Sequence, residues 1–512
     1  MNPMASLTHL RLVPFGRRIV ASVLTATGLI GTLVATVSGT STASVAEPDF
    51  AAISAYIDTQ RKAERIPGLA VAIVGGDGTV YLAGFGTADA TGRPVASNTP
   101  FILGSTSKSF TALAIMQLVE AGRVKLDAPV RQYLPWFAVA DEKASAEITV
   151  RMLLNQTSGL STAAGRRTLT DFSSGDDALE NRVRALRSVR LTAPVGSTYQ
   201  YSNCNYQILG LIIQQVTGGS YETYMAEHVF APLAMARTYT SKASALENGL
   251  ATGHRTWFGR PVEFDETLPR ASVPQGFIIS TAQDMSHYLI AQLNGGVYGD
   301  ATVLSADGIA QLHHGAAREG DSDVQYGMGW NVGSHDGINA VWHEGDTNAY
   351  QSFMVLLPDA RWGLVLLSNV NNIPATQRFE EIGWGIANLL TGGIPKTEHV
   401  RDSVIAYAVF VGLVVVQLLG MARTAALLAR WRREPSTRPA GLAATIGRIG
   451  LPSAANLLWG LLVFVWLPMQ FAPVEILTWA APDIGYLLLF SGLIALAWSA
   501  IRATLVYRAL HQ

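Results

Sequence analysis

One cysteine, Cys204, stands in a chain of 512 residues. No intramolecular disulfide can form, so an exported domain has to be stabilised by its own core. Lysine is scarce as well, with six copies, and charged residues make up only 15% of the chain. No Gly-x-Ser-x-Gly stretch occurs, which leaves the nucleophile elbow of α/β-hydrolases unsupported. No phosphate-binding glycine loop precedes a helix. His343-Glu344 lacks the second histidine four residues on that would make a zinc helix, and the adjacent His313 and His314 point in different directions on a helix or a strand. No metal and no cofactor are therefore expected.

What the chain has in excess is apolar sequence, 49% of all residues. At this length one ordinary domain is too little, and part of the chain reads as lipid-embedded. Residues 403–422, 449–470 and 484–501 are three charge-free runs, each long enough as a helix to cross a bilayer core, with Trp and Tyr near several ends. The stretch between the first two holds Arg423, Arg430, Arg432, Arg433, Arg438 and Arg448, whereas the stretch between the second and third has Glu475 and Asp483 and no basic residue. The positive-inside rule puts the arginine loop and the carboxy terminus in the cytoplasm and everything before Val404 outside.

The amino terminus agrees. Arg11, Arg17 and Arg18 precede an apolar run from Ile19 to Val37, then small residues, as in a secretory signal cut after Ala43 or Ala46. An uncleaved anchor is the alternative, and Arg17-Arg18 also fits twin-arginine export. Residues 1–46 are thus expected to be a signal segment, 47–394 a globular domain, and 395–402 a polar linker. The two flanks carry eleven arginines against three acidic residues in a chain of net charge −1, so the middle segment is acidic and no nucleic-acid binder.

Within that segment helix and strand signals mix. "LAVAIV" and "TVYLAGFG" flank Gly75-Gly76-Asp77-Gly78, and "SFMVLLP" and "RWGLVLLSN" flank Pro358-Asp359-Ala360, predicting antiparallel hairpins at the two ends. Helical patterns such as Ser107–Ala121 and Tyr206–Val216 lie between them, and no internal repeat occurs.

"ILGSTSKSF", Ile102 to Phe110, opens one of these helices. With a helix start near Ser105 or Thr106, Ser105 and Lys108 share a face, so hydroxyl and amine can meet. The helix amino terminus adds partial positive charge, and a desolvated lysine can serve as the base a serine nucleophile needs. Taken alone, the pair also reads as a capping serine beside a solvated lysine. Yet Lys108 is the only lysine with a serine three residues before it, and an apolar helix follows.

Downstream come "YSN", Tyr201 to Asn203, and "WHEG", Trp342 to Gly345. In this order the three stretches resemble the class C β-lactamase and penicillin-recognising serine hydrolase family, with its Ser-x-x-Lys, Tyr-x-Asn and Lys-Thr-Gly or His-x-Gly motifs. The resemblance covers roughly residues 48–392 and extends to "LLNQTSGL" (153–160), "GFIISTAQDM" (276–285) and "YGMGW" (326–330). It implies an α+β fold: a central antiparallel sheet flanked by helices, with an all-α subdomain, here followed by a three-helix transmembrane bundle. It implies that Ser105 is acylated, that Lys108 and Tyr201 share its proton, and that Tyr201 protonates the leaving amine and activates the deacylating water. Asn203 would hold Lys108 and the substrate amide, and His343 would line the pocket beside Tyr201. Gly345 and Asp346 would border the substrate, with the Ser105 and Asp346 N–H groups as oxyanion hole. Each has a structural alternative: a buried tyrosine, a helix-capping asparagine, a strand histidine bonded to backbone.

His343-Glu344 stands where penicillin-binding enzymes commonly have Lys-Thr, which weakens recognition of a carboxylate by a fixed cation and disfavours a strict β-lactamase. The overall arrangement is similar to membrane-anchored peptidases of the colibactin-maturation type, which cut D-amino-acid-containing peptides. The expected partners are a small peptide, β-lactam-like or ester substrate and membrane lipid; oligomeric state is left open. Three readings stand: a D-stereospecific or acyl-peptide peptidase; a DD-carboxypeptidase, β-lactamase or esterase; and a penicillin-binding sensor or non-catalytic binding domain.

Overall fold

A computed structural model describes residues 48–76, 78–371, 376–395, 402–438, 441–470 and 474–511. The expected signal segment, residues 1–46, lies outside the described residues, as do 396–401 of the expected linker.

Apolar stretches build one antiparallel sheet. Its strands are β1 (Gly68–Gly75), β2 (Gly78–Gly86), β3 (Ala317–Arg318), β4 (Gln325–Tyr326), β5 (Asn331–His335), β6 (Ile338–Asp346), β7 (Gln351–Leu357) and β8 (Trp362–Ser368), in the order β2-β1-β8-β7-β6-β5-β4-β3. Both predicted hairpins form, β1 with β2 and β7 with β8, and β1 pairs β8 so that the two chain ends of the domain meet mid-sheet.

The helices that matter to the sheet and the site are α1 (Phe50–Ala63), α2 (Ser107–Glu120), α3 (Asn203–Thr217), α4 (Ala282–Leu293) and α5 (Thr376–Leu390). Leu69, Val71, Ile73, Phe353 and Val355 turn to one face and pack with Ile53 and Ile57 of α1 and Phe379 and Ile382 of α5. Ala70, Ala72, Val74, Met354 and Leu356 turn to the other and pack with Phe110 and Leu113 of α2 and Leu289 of α4. Helices cover both faces, which is why the central strands read as continuous apolar runs rather than as half-polar alternation. Among the described residues no strand lies between Ser107 and Phe230; this helical half is the all-α subdomain.

Three further helical stretches are long and apolar enough to cross a membrane: Tyr407–Arg433, Ile446–Trp466 and Pro482–Ala509. They belong to α6 (Asp402–Arg433), to α7 (Leu451–Leu461) with its flanking helical turns, and to α9 (Pro482–His511); α8 (Val474–Ala480) is the short helix before the last. The helices run past the expected limits because polar end residues continue the hydrogen-bond ladder. Small residues let them approach: a Cβ on Gly460 would lie 2.4 Å from Leu496 Cδ2, and one on Gly492 2.8 Å from Phe464 Cε2. Gln417 Nε2 donates to Ser491 O at 3.1 Å and Trp459 Nε1 to Ser491 Oγ at 3.1 Å.

One end of this bundle touches the sheet domain. Arg255 Nη1 donates to Trp479 O at 3.2 Å, and Asp483 Oδ2 accepts from Phe258 N at 2.7 Å. Phe172 meets the Trp479 ring at 6.1 Å and Phe258 meets Tyr407 at 5.5 Å.

Candidate active site

A 3₁₀ turn over Gly104–Thr106, rather than the α-helix itself, presents Ser105, and α2 proper starts at Ser107. Gly104 sits at φ +59°, where a Cβ would also lie 2.5 Å from Asp346 N; a Cβ on Gly345 would lie 2.1 Å from Leu103 O. Both positions require glycine, because the nucleophile turn and the end of β6 approach backbone to backbone. Thr106 Oγ1 donates to Leu103 O at 2.9 Å, Ser107 Oγ accepts from Ile278 N at 3.1 Å, and Thr111 Oγ1 donates to Pro274 O at 2.6 Å. These bonds anchor a helix whose first turns are buried all round. The stretch 276–285 thus braces the turn from outside.

Lys108 is fully buried. Its Nζ lies 3.0 Å from Ser105 Oγ and donates to Gln275 O at 2.6 Å. The ring centroids of Tyr201 and Tyr206 lie 4.8 and 5.7 Å from it. Desolvation holds this amine well below the ordinary lysine range, and the Glu344 charge opposes that shift only in part. Glu344 is itself pushed up by desolvation against Lys108 and against Asn331 Nδ2, which donates to it at 3.0 Å. Both groups move toward their neutral forms, so burial outweighs their attraction.

Tyr201 is lifted well above the usual phenol value by burial, although its hydrogen bond with Ser105 pulls the other way. It is held by the stretch 153–160: Gln156 Oε1 accepts from Ser202 N at 2.9 Å and from Asn205 Nδ2 at 2.5 Å. His343 lies beside Tyr201, ring centroids 6.3 Å apart, and takes a contact of 3.3 Å from Tyr326 OH. Burial lowers it to about 3, with Lys108 adding to the effect, so it is a neutral imidazole. At 1% exposure it is not among the residues that wall the cavity, contrary to the expectation that it lines the pocket.

A cavity of about 360 Å³ opens over Ser105 and is walled by Asn203, Phe277 and Asp346, among others. Asn203 does not hold Lys108: its Oδ1 is buried with no hydrogen-bond partner among the described residues, while the Gln275 carbonyl occupies the lysine instead. Asp346 is exposed at the cavity opening; the protein around it still lifts its carboxyl to about 6 by desolvation, against a 3.1 Å bond from Gln351 Nε2. Glu266, 1% exposed, is lifted by desolvation to about 7. Among the described residues no cluster of His, Cys, Asp or Glu is arranged to hold a metal.

Several residues in and behind the wall had no role in the sequence reading. Arg166, at the end of a short helix, brings a guanidinium into the wall, so a fixed cation exists although it does not come from the strand motif. Gln275 acts through its carbonyl, which no side-chain pattern reveals. Tyr326 was visible within "YGMGW" but without a function. Leu477, Trp479 and Ala480 of α8 complete the wall, more than 370 residues from Ser105 in sequence.

A family profile described as Beta-lactamase matches residues 53–382. Penicillin-binding protein 4 of Amycolatopsis lactamdurans is 32% identical over 321 residues, 61% of this chain and 83% of that protein. Protein flp of Staphylococcus aureus (strain MW2) is 29% identical over 347 residues, 66% of each chain. Among solved structures, the octameric penicillin-binding protein homologue from Pyrococcus abyssi superposes with a TM-score of 0.60 at 25% identity, over 68% of this chain and 79% of that one. With that profile matching more than half of the chain and a relative 32% identical over most of its own length, the protein belongs to the beta-lactamase family.

Proposed function

We propose that the protein is a membrane-anchored serine hydrolase that works through an acyl-enzyme on Ser105, acting as a peptidase on D-amino-acid-containing or N-acylated peptides. The observation that carries this reading is the buried, neutral-leaning Lys108 amine 3.0 Å from Ser105 Oγ. With one N–H given to Gln275 O, its lone pair remains available for the Ser105 proton. The serine oxygen then attacks the substrate carbonyl. The N–H groups of Ser105 and Asp346 stabilise the oxyanion, a contribution of roughly 3 kcal/mol per donor in comparable sites. Tyr201, protonated at neutral pH, gives its proton to the leaving amine and recovers one from Lys108. Water attacks the ester in the second half, its proton passing to the same pair, and Ser105 is restored.

The cavity supports an amphiphilic substrate. Leu169, Phe277, Leu477 and Trp479 give it an apolar side, and the last two belong to the helix that adjoins the apolar spans. An acyl chain lying in the bilayer surface would meet this side first. Val416, Leu419, Leu458 and Phe490 are all more than half exposed on the three long helices, as lipid-facing residues are. The arginine-rich stretch 423–448 supports a cytoplasmic location for the opposite end of the bundle, with the hydrolase domain outside.

A DD-carboxypeptidase, β-lactamase or esterase is the second reading. Arg166 in the wall, suited to a substrate carboxylate, and the relative named as a penicillin-binding protein favour it. A sensor differs only in the lifetime of its acyl-enzyme. The full-length protein would be incubated with N-acyl-D-peptides, D-Ala-D-Ala peptides, cephalosporins and short esters, with products and Ser105 adducts read by mass spectrometry. Turnover of acyl-D-peptides supports the first reading; turnover of D-Ala-D-Ala peptides, cephalosporins or esters alone transfers support to the second. A stable Ser105 adduct without turnover sinks the peptidase.

A further inference from the structure

We infer that the helical bundle carries a second ligand site, for a phosphate-type anion, at the end remote from the catalytic cavity. Each long helical stretch contributes one arginine, Arg423, Arg448 and Arg502, to the wall of a single cavity of about 690 Å³. Gln417 and Asn456 add polar groups to that wall, and among the described residues no carboxylate lines it.

Three arginines lining one cavity bring like charges together, and the partly buried Arg448 and Arg502 are also costly to desolvate. An anion removes both penalties. Arg502 Nε and Gln417 Oε1 are buried without a hydrogen-bond partner among the described residues, so the cavity wall holds unused donor and acceptor capacity. Arg448 is positioned by the Trp431 ring, 5.4 Å from its guanidinium carbon. Elsewhere in the same segment an acid is supplied where an arginine is to be neutralised: Arg430 Nε lies 3.5 Å from Glu434. The cavity arginines have no such neighbour in the wall.

The planar guanidinium fork matches phosphate oxygens, and basic pockets between membrane helices suit anionic headgroups. Arg423 lies 21 residues into α6, about 30 Å along the helix from its start beside the hydrolase domain. The site is therefore separate from Ser105 and does not depend on how that site is read.

The test uses the full chain purified in detergent. Native mass spectrometry would compare retention of phosphatidylglycerol and phosphatidylcholine, and thermal melting would be followed with added pyrophosphate. Phosphatidylglycerol should be retained preferentially, with a loss of about fivefold or more in each of Arg423→Gln and Arg502→Gln, and no loss in Arg430→Gln. Arg423→Lys and Arg502→Lys, which keep the charge but not the fork, should lose less. If pyrophosphate raises the melting temperature with the same arginine dependence and lipid does not discriminate, the site holds a soluble phosphate compound. A wild-type chain with no preference for phosphatidylglycerol and no response to pyrophosphate overturns the site without any variant. Binding that is equal in wild type and both Gln variants overturns it too.

Discussion

The Lys108 amine and the Gln275 carbonyl lie 2.6 Å apart in a fully buried setting, a contact that fixes the amine against Ser105 without offering it a full counter-charge. Most of what the site can do follows from that arrangement.

Replacing Ser105 by Ala is expected to abolish fluorophosphonate labelling. Lys108→Met should lower the labelling rate by about 10²–10⁴-fold. The same change should raise the melting temperature at neutral pH. The native state holds Lys108 with a depressed pKa while the unfolded chain protonates it, so stability rises with pH up to the ordinary lysine value and Met removes that penalty. A melting temperature for Lys108→Met that falls below wild type at pH 7 would contradict a neutral buried amine.

Labelling rates should climb with pH along a limb set by Lys108, below the ordinary lysine range, and persist until Tyr201 ionises, above the ordinary phenol value. His343, near 3, contributes no limb between pH 5 and 8. A His343→Gln variant that loses an inflection near 6.5 would disprove this.

Gly345→Ala should cost about 1–3 kcal/mol and slow labelling severely, since its Cβ would press on Leu103 O at 2.1 Å and Ser352 Oγ at 2.3 Å and displace the nucleophile turn. Chemical denaturation and labelling, measured together, check it; an unchanged protein would mean the backbone approach is looser than described.

Trp479→Ala removes an apolar wall contributed by the bundle. It should lower kcat/KM for long N-acyl substrates by about tenfold while leaving labelling by a small fluorophosphonate within about twofold. An equal loss with short and long acyl chains would show that Trp479 acts only as a structural contact.

Glu266, lifted to about 7, binds its proton more tightly in the folded state, so stability falls as pH rises from about 4.5 to 7. Glu266→Gln should therefore be more stable than wild type at pH 8, by about 3 kcal/mol, and the gain should vanish below pH 4.5. A pH-independent difference would assign the effect to packing instead.

Local chemistry alone determined a good part of this protein. The two hairpins follow from apolar runs on either side of turn residues, the Ser105–Lys108 pairing from helical spacing, and the three long helices from uninterrupted apolar length, because each signal is complete within a few turns of chain. Tertiary structure decided the rest. That Gln275 rather than Asn203 holds Lys108, that His343 lies outside the cavity wall, that Arg166 supplies the cavity's cation and that Trp479 closes its wall all depend on packing between distant segments. In sequence Trp479 reads as one more interfacial aromatic, and only the docking of the bundle against Arg255 and Phe258 brings it to the serine's cavity.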